Sequence, residues 1–232
     1  MIRLALKNLW ARKRRNGWLM AELIVVSLIL WHFADPVTVQ TYVNMLPDGF
    51  DSENLYRISI QEYDPSSYRY REEAAESETR QENMWRIRDR VRNYPGVESA
   101  TFQIGGGGPG GRSYTATSIQ VTEDISVSHI QVDFVPKSDY FTTFRYQTAG
   151  GPSTEQMDRM TLENGELIMT ENILPDAPSF GYRYKNALGD EFKIVASVWP
   201  VKIHLNKPPQ QVRFVKSGVQ DVDAIIFRLR DD

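Results

Sequence analysis

No cysteine occurs among the 232 residues. That excludes disulfides, thiolate metal sites and thiol nucleophiles. It does not exclude an oxidising compartment, because a domain of this size folds without staples. Histidine is scarce as well. His32, His129 and His204 are the three in the chain, far apart in sequence, and each reads as a surface or interface residue rather than a ligand. HExxH, GxSxG and EF-hand patterns are all missing. Residues 105–111 read GGGGPGG, but no Gly-Lys-Ser/Thr follows to meet a phosphate. Arg112-Ser113-Tyr114-Thr115 leads instead into a β-rich stretch, so the run reads as a flexible connection between strands. Glu72, Glu73, Glu76 and Glu78 alternate with Arg69, Arg71 and Arg80, and read as a solvated charged face. These absences point away from an enzyme. No catalytic, cofactor-binding or metal-ligating residue is assigned, and no cofactor is expected.

The charge that is present is unevenly placed. Arg3, Lys7, Arg12, Lys13, Arg14 and Arg15 open the chain with no acid among them; removing those six of 27 bases leaves 21 against 30 acids. A basic head on an acidic body is not the footprint of a nucleic-acid binder, which spreads Lys and Arg over its folded surface. Residues 17–34 read GWLMAELIVVSLILWHFA, with Glu22 the one formal charge. Eighteen such residues span about 27 Å as a helix, close to the hydrocarbon thickness of a bilayer. Trp18 and Trp31 stand near its two ends, where indoles favour the interface. The preceding basic cluster places residues 1–16 in the cytoplasm and the bulk of the chain outside. The competing reading, a cleaved signal peptide, suffers from a run longer than a usual apolar core and from the lack of a small-x-small site. Glu22 admits two readings: a polar partner within the membrane, or a group one turn from the inner interface reaching toward headgroups.

The flanks carry pattern too. Ile2, Leu4, Ala5, Leu6, Leu9 and Trp10 interleave with Arg3, Lys7 and Asn8, which suits a short amphipathic helix along the inner leaflet. Past Pro36, Val39, Tyr42 or Val43, and Leu46 recur at helical spacing, so the spanning helix is expected to continue as a stalk until Leu46-Pro47-Asp48-Gly49.

Beyond the stalk the fold class reads as α+β, mostly β. Residues 54–61 alternate, predicting a half-buried strand with Tyr56, Ile58 and Ile60 on its inner face. Residues 81–94 predict a helix burying Met84, Ile87 and Val91, stopped by Pro95-Gly96, and residues 97–104 predict a strand. Residues 112–134 predict two strands broken near Thr122-Glu123-Asp124, with Ile130, Val132 and Phe134 turned inward. Residues 137–144 suit a short helix capped by Ser138. Further strands are expected at 165–170, 191–199, 212–215 and 224–229, with 174–184 irregular.

This order resembles the first membrane helix and extracytoplasmic core of a MacB/FtsX-type ABC transporter permease. The residues that carry the resemblance are IRLALKNLWARKRR before one span, then LYRISI, IRDRVRNYPGVESATF, VDFVPKSDYFTTF, GELIMTE and LGDEFKIVASV. Each motif is weak alone; their order and spacing cover nearly the whole chain. The resemblance implies a bacterial inner-membrane protein with its N-terminus cytoplasmic and its main domain periplasmic. It implies a mostly β domain of two subdomains, so the chain divides into 1–16 (basic amphipathic segment), 17–34 (membrane helix), 35–50 (stalk and turn), 51–135 (first subdomain) and 136–232 (second). It further implies a cytoplasmic ABC ATPase as partner, a homo- or heterodimer with another permease, and coupling of ATP hydrolysis to export or mechanical signalling in the periplasm. Such permeases carry further membrane helices and a segment returning to the first subdomain. Both are expected to be missing here, which suggests a truncated reading frame or a single-span relative. The alternative is a single-span periplasmic sensor or adaptor binding a ligand or protein. A third possibility, an anchored hydrolase, requires a clustered polar site.

Overall fold

The computed structural model of the chain describes residues 13–61, 63–72, 77–105, 107–111, 114–120, 126–171, 179–185 and 189–230. The amphipathic segment expected before residue 13, the break at Thr122-Glu123-Asp124 and much of 174–184 lie outside these. The chain forms two compact units, Met1–Leu46 and Pro47–Asp232.

Among its described residues the first unit is a single helix, α1 (Lys13–Met45), uninterrupted by Pro36. Its 33 residues extend about 50 Å at 1.5 Å each, well beyond the ~30 Å a hydrocarbon core requires. Gly17–Met45 is long and apolar enough to cross a membrane, and its large side chains, Trp18, Leu23, Leu28 and Trp31 among them, are exposed. The threonine hydroxyls of its C-terminal half are satisfied within the helix: Thr38 Oγ1 donates to the Ala34 carbonyl (2.8 Å) and Thr41 Oγ1 to the Val37 carbonyl (2.7 Å). Bonding to the preceding turn lets polar groups sit on an apolar helix without free donors.

The second unit is mixed α+β and mostly β, with two sheets. In chain order its elements are β1 (Leu55–Ser59), α2 (Ser77–Arg92), β2 (Val97–Ile104), β3 (Thr115–Gln120), β4 (Ser126–Phe134), α3 (Tyr140–Phe144), β5 (Thr148–Gly150), α4 (Thr154–Arg159), β6 (Glu166–Thr170), β7 (Arg183–Lys185), β8 (Glu191–Val198), β9 (Val212–Lys216) and β10 (Val222–Leu229). The smaller sheet has the order β1-β10-β2, all antiparallel. The larger runs β3-β4-β9-β6-β8-β5, with β7 also on β8. Within it β4 and β9, and β6 and β8, are parallel.

The last strand, β10, lies between β1 and β2. The returning segment expected to be missing is therefore present in Val222–Leu229. Sequence order concealed it, because a strand's partner 160 or more residues away leaves no local signal.

The two faces of the smaller sheet pack against different things. Ala100, Phe102, Ile104 and Ile225 pack under α2, where Met84, Trp85 and Val91 meet them. Trp85 and Phe102 touch edge to face at 5.0 Å. On the opposite face Ile226 and Leu55 join the main core, which runs through Ile130, Val132, Phe134, Ile168, Ala196, Val198, Val212 and Phe214 of the larger sheet. At its centre the rings of Phe134, Tyr140, Phe141, Phe144, Tyr146 and Phe214 pack mostly tilted or edge to face, with Tyr140 and Tyr146 stacked at 5.9 Å, the geometries that ring quadrupoles favour. Burial drives the Tyr140 and Tyr146 hydroxyls well above the usual phenol range.

Several local expectations change here. The buried stripe of α2 is Met84, Trp85, Arg88 and Val91, whereas Ile87 faces solvent. Arg88 displaces Ile87 because its guanidinium finds partners inside: Nε donates to the Ala100 carbonyl (2.9 Å), and the terminal nitrogens reach Asp89 (2.7 Å) and Asp139 (3.2 Å). Ser138 does not cap α3. Its hydroxyl donates to the Val135 carbonyl (2.7 Å), and the amides of Phe141 and Thr142 instead donate to the buried Asp158 carboxylate (2.8 and 2.9 Å). Residues 107–111 are not a loose connection. Gly108, Pro109 and Gly111 are buried, the Gly110 amide donates to the Ile203 carbonyl (3.1 Å), and Gln103 Nε2 donates to the Gly107 carbonyl (3.0 Å). Gly108 sits at φ +101°, where an added Cβ would stand 3.0 Å from the Tyr140 hydroxyl.

Candidate docking groove

Each of the three histidines has its own surroundings. His32 is exposed on α1 beside Phe33. His204 is half-buried with its ring 5.1 Å from Tyr114. His129, read as a surface or interface residue, is instead buried in β4, where Nε2 lies 2.8 Å from the Thr117 hydroxyl. Burial, with the nearby Arg213 charge, holds its pKa below 6.5 and keeps the ring neutral. Among the described residues no three His, Asp or Glu side chains are placed to hold a metal ion. Glu72 and Glu78 are exposed, and Arg69 and Arg71 turn to nearby tyrosine hydroxyls and carbonyls.

The buried charges hold the smaller sheet in place. Arg228 of β10 is fully buried, facing away from α2. Nε donates to the Thr143 carbonyl (3.0 Å), Nη1 to Asp51 Oδ2 (3.0 Å) and the Glu53 carbonyl, and Nη2 to the Asp51 carbonyl (2.6 Å). Asp51 also receives Arg145 (2.9 Å), which continues to Glu98 (2.8 Å). Burial pushes the Asp51 carboxyl up, but the Glu53 amide, Arg145 and Arg228 outweigh it and leave the pKa below 3.8. This network ties the segment leading into β1 to the strand that ends the fold.

An open trough lies on the sheet face that carries α2. The register pairs Tyr56 with Phe227 and Ile58 with Ile225, so all four project to that face. The helix covers β2 and β10 and stops short of β1. Tyr56 is consequently 48% exposed and Ile58 43% exposed, although the alternation in LYRISI predicts a buried face. The uncovered strip forms a trough of about 770 Å³ between β1 and the C-terminal end of α2. Its floor is the stacked pair Tyr56 and Phe227, ring centroids 5.6 Å apart. Val91, Tyr94 and Pro95 line it with Leu229, and Tyr94 is 69% exposed. The charged lining residues are Arg90 and Arg230, with no acid among the lining. Arg88 and Arg92, by contrast, are both paired with Asp139. The trough is thus apolar along its floor and rimmed by two cations.

No family model matches the chain. No curated protein matches it significantly either. Among solved structures, the chain is similar to the extracellular domain of the noncanonical ABC-type transporter YknZ from Gram-positive bacteria. That likeness has a TM-score of 0.37 at 9% identity, and covers 62% of this chain and 71% of the other.

Proposed function

We propose that the chain is the membrane-anchored outer part of an ABC transporter permease subunit of the MacB/FtsX type. On this reading α1 crosses the inner membrane with its basic end in the cytoplasm. A cytoplasmic ATPase drives movements that pass through α1 to the outer domain, where they power export or a mechanical signal, and two permease subunits act together. The chain itself carries no bond-making chemistry.

One observation supports this reading above the rest. The outer domain closes where it begins, since the Leu229 amide donates to the Asn54 carbonyl at 3.0 Å. A domain inserted as an excursion from a membrane bundle needs its two chain ends side by side. The excess length of α1 over a bilayer core supports the same reading, because a rigid extension transmits displacement where a flexible tether would not. The open trough favours a second reading, a single-span adaptor whose outer domain binds a ligand or protein.

Affinity purification of the full chain from solubilised membranes separates the two. Stoichiometric recovery of an ABC-type ATPase is the expected result. Recovery of outer-face proteins with no ATPase overturns the permease reading. Because the chain lacks cysteine, Ser128→Cys gives a single label for orientation. Reaction with a membrane-impermeant maleimide in intact spheroplasts is expected, and protection until lysis would reverse the topology.

A further inference from the structure

We propose that the trough between β1 and α2 receives every second side chain, apolar or acidic, of an extended peptide added to β1 as a fourth strand of the smaller sheet. The proposal stands whether or not an ATPase partners the chain.

The first ground is the backbone of β1. The Ile60 amide donates to the Asp223 carbonyl (2.7 Å) and the Leu229 amide to the Asn54 carbonyl (3.0 Å). In an antiparallel pair these bonds recur at every second residue. Even-numbered residues of β1 therefore spend their amides and carbonyls on β10, and Leu55, Arg57 and Ser59 direct theirs to the outer edge. Among the described residues no strand pairs with that edge. β2, at the other edge, is buried along its length except at Glu98.

The second ground is the absence of the usual protections. Edge strands resist pairing through Lys, Pro, bulges or charges turned inward. β1 reads LYRIS, its pairing with β10 is regular, and its one charge, Arg57, turns to Asp223 (3.2 Å). The third ground is complementarity. A strand laid on this edge projects every second side chain onto the face of Tyr56, Ile58 and Phe227, where apolar groups are required. Arg90 and Arg230 line the same trough with no ion pair among the described residues, which selects carboxylates among those same trough-facing side chains. β1 has five residues, about 17 Å of edge, so the matching segment is about five to seven residues long.

The test uses the full chain in lipid nanodiscs and a fluorescein-labelled, end-capped peptide of about seven residues, with glutamate or valine at every second position and serine between. Saturable anisotropy is expected, with binding at least about tenfold weaker for a lysine–valine peptide and for a block-ordered peptide of the same composition. N-methylation of alternate peptide amides abolishes binding in one phase of the alternation and spares it in the other. Charge reversal of Arg90→Glu with Arg230→Glu inverts the preference toward the lysine peptide. Arg57→Pro removes one outward amide, with Arg57→Ala as the control that keeps it; only the proline variant loses affinity. Equal binding of the block-ordered peptide, or indifference to N-methylation in both phases, overturns the proposal. So does displacement of the peptide by dodecanoate in the N-methylated and unmethylated forms alike, which would make the trough an acyl-chain site. Self-association through Ile58 without peptide binding would make it a contact between copies of this chain, and equally overturns it.

Discussion

Arg228 links β10, α3 and the chain leading into β1, and replacing it tests how the smaller sheet is held. In Arg228→Met the stem is kept and the donors are lost. The carbonyls of Thr143, Glu53 and Asp51 then lose the guanidinium in a buried site. Each orphaned carbonyl costs about 1 kcal/mol. The Asp51 carboxylate loses one partner but keeps Arg145 and is about a third exposed, so its term is small. The expected loss is about 3 kcal/mol, at the lower end of the ~3–5 kcal/mol of a broken, fully buried pair. Arg228→Ala adds a cavity and should reach ~4–5 kcal/mol. For a unit of this size, 3 kcal/mol lowers Tm by about 6–12 °C. Near-UV circular dichroism during heating, with urea titration at fixed temperature, reads both quantities. A double-mutant cycle with Asp51→Asn should show coupling of ~1 kcal/mol, limited because Arg145 continues to serve Asp51. If Arg228→Met lies within about 0.5 kcal/mol of the parent chain, the three carbonyls are satisfied without it and the reasoning fails.

Acidification should lower stability in two windows. Neutral His129 is favoured in the fold, so its contribution is complete above 6.5 and declines as pH falls below that value; His129→Gln removes this step from a stability–pH curve. Asp51 contributes fully above 3.8 and is lost as pH falls through its depressed folded value; Asp51→Asn removes that later step. Burial raises the Asp158 carboxyl against the bonds it accepts from Thr142 and Phe141, with Asp139 adding to the rise. Asp158→Ala strips the α3 amides of their acceptor and should cost about 1–3 kcal/mol in urea unfolding. Gly49 holds φ +77°, and a Cβ there would meet the Pro200 carbonyl oxygen at 2.1 Å. Gly49→Ala should therefore destabilise by at least ~2 kcal/mol, checked by the urea midpoint, while an alanine at exposed Gly96, with open space around it, carries only the backbone strain.

Strands announced by local alternation were legible in the residues. β2 coincides with the expected 97–104, and Ile130, Val132 and Phe134 are buried as their spacing predicts. Elements whose signal is short or polar were not. The capping box Ser153…Gln156 that opens α4 is present in the sequence as Ser-x-x-Gln, a usable signal that glycine and proline beside it obscured. β5 and β7 have three residues each and exist because β8 offers them an edge. α2 shows a different failure. Helical periodicity places apolar residues inside and arginine outside, yet Arg88 is inside because the Ala100 carbonyl and Asp139 supply acceptors that no local pattern records. The same holds for Arg228, whose partners come from three separate stretches of chain.

The misjudged face of β1 and the candidate site are one fact seen twice. Tyr56 and Ile58 alternate as residues of an inner face do, and an inner face it is: they share it with Phe227 and Ile225, which α2 partly covers. A lone helix is about 10 Å across, while three strands at ~4.8 Å spacing present a face wider than it can cover. Where the helix sits over β2 and β10, β1 must be left open. Trp85 and Arg88 hold it there, through the ring of Phe102 and the carbonyl of Ala100. If those anchors set the width of the trough, Trp85→Ala should free α2 to shift over β1, lowering the exposure of Tyr56 and weakening peptide binding before the fold is lost. Tyrosine accessibility by iodination and anisotropy of the glutamate–valine peptide would follow the two changes. Unchanged reactivity of Tyr56 with peptide binding intact would show that the helix position is set elsewhere. The pattern in LYRISI is thus a sound record of which way the side chains point, and silent on whether anything lies above them.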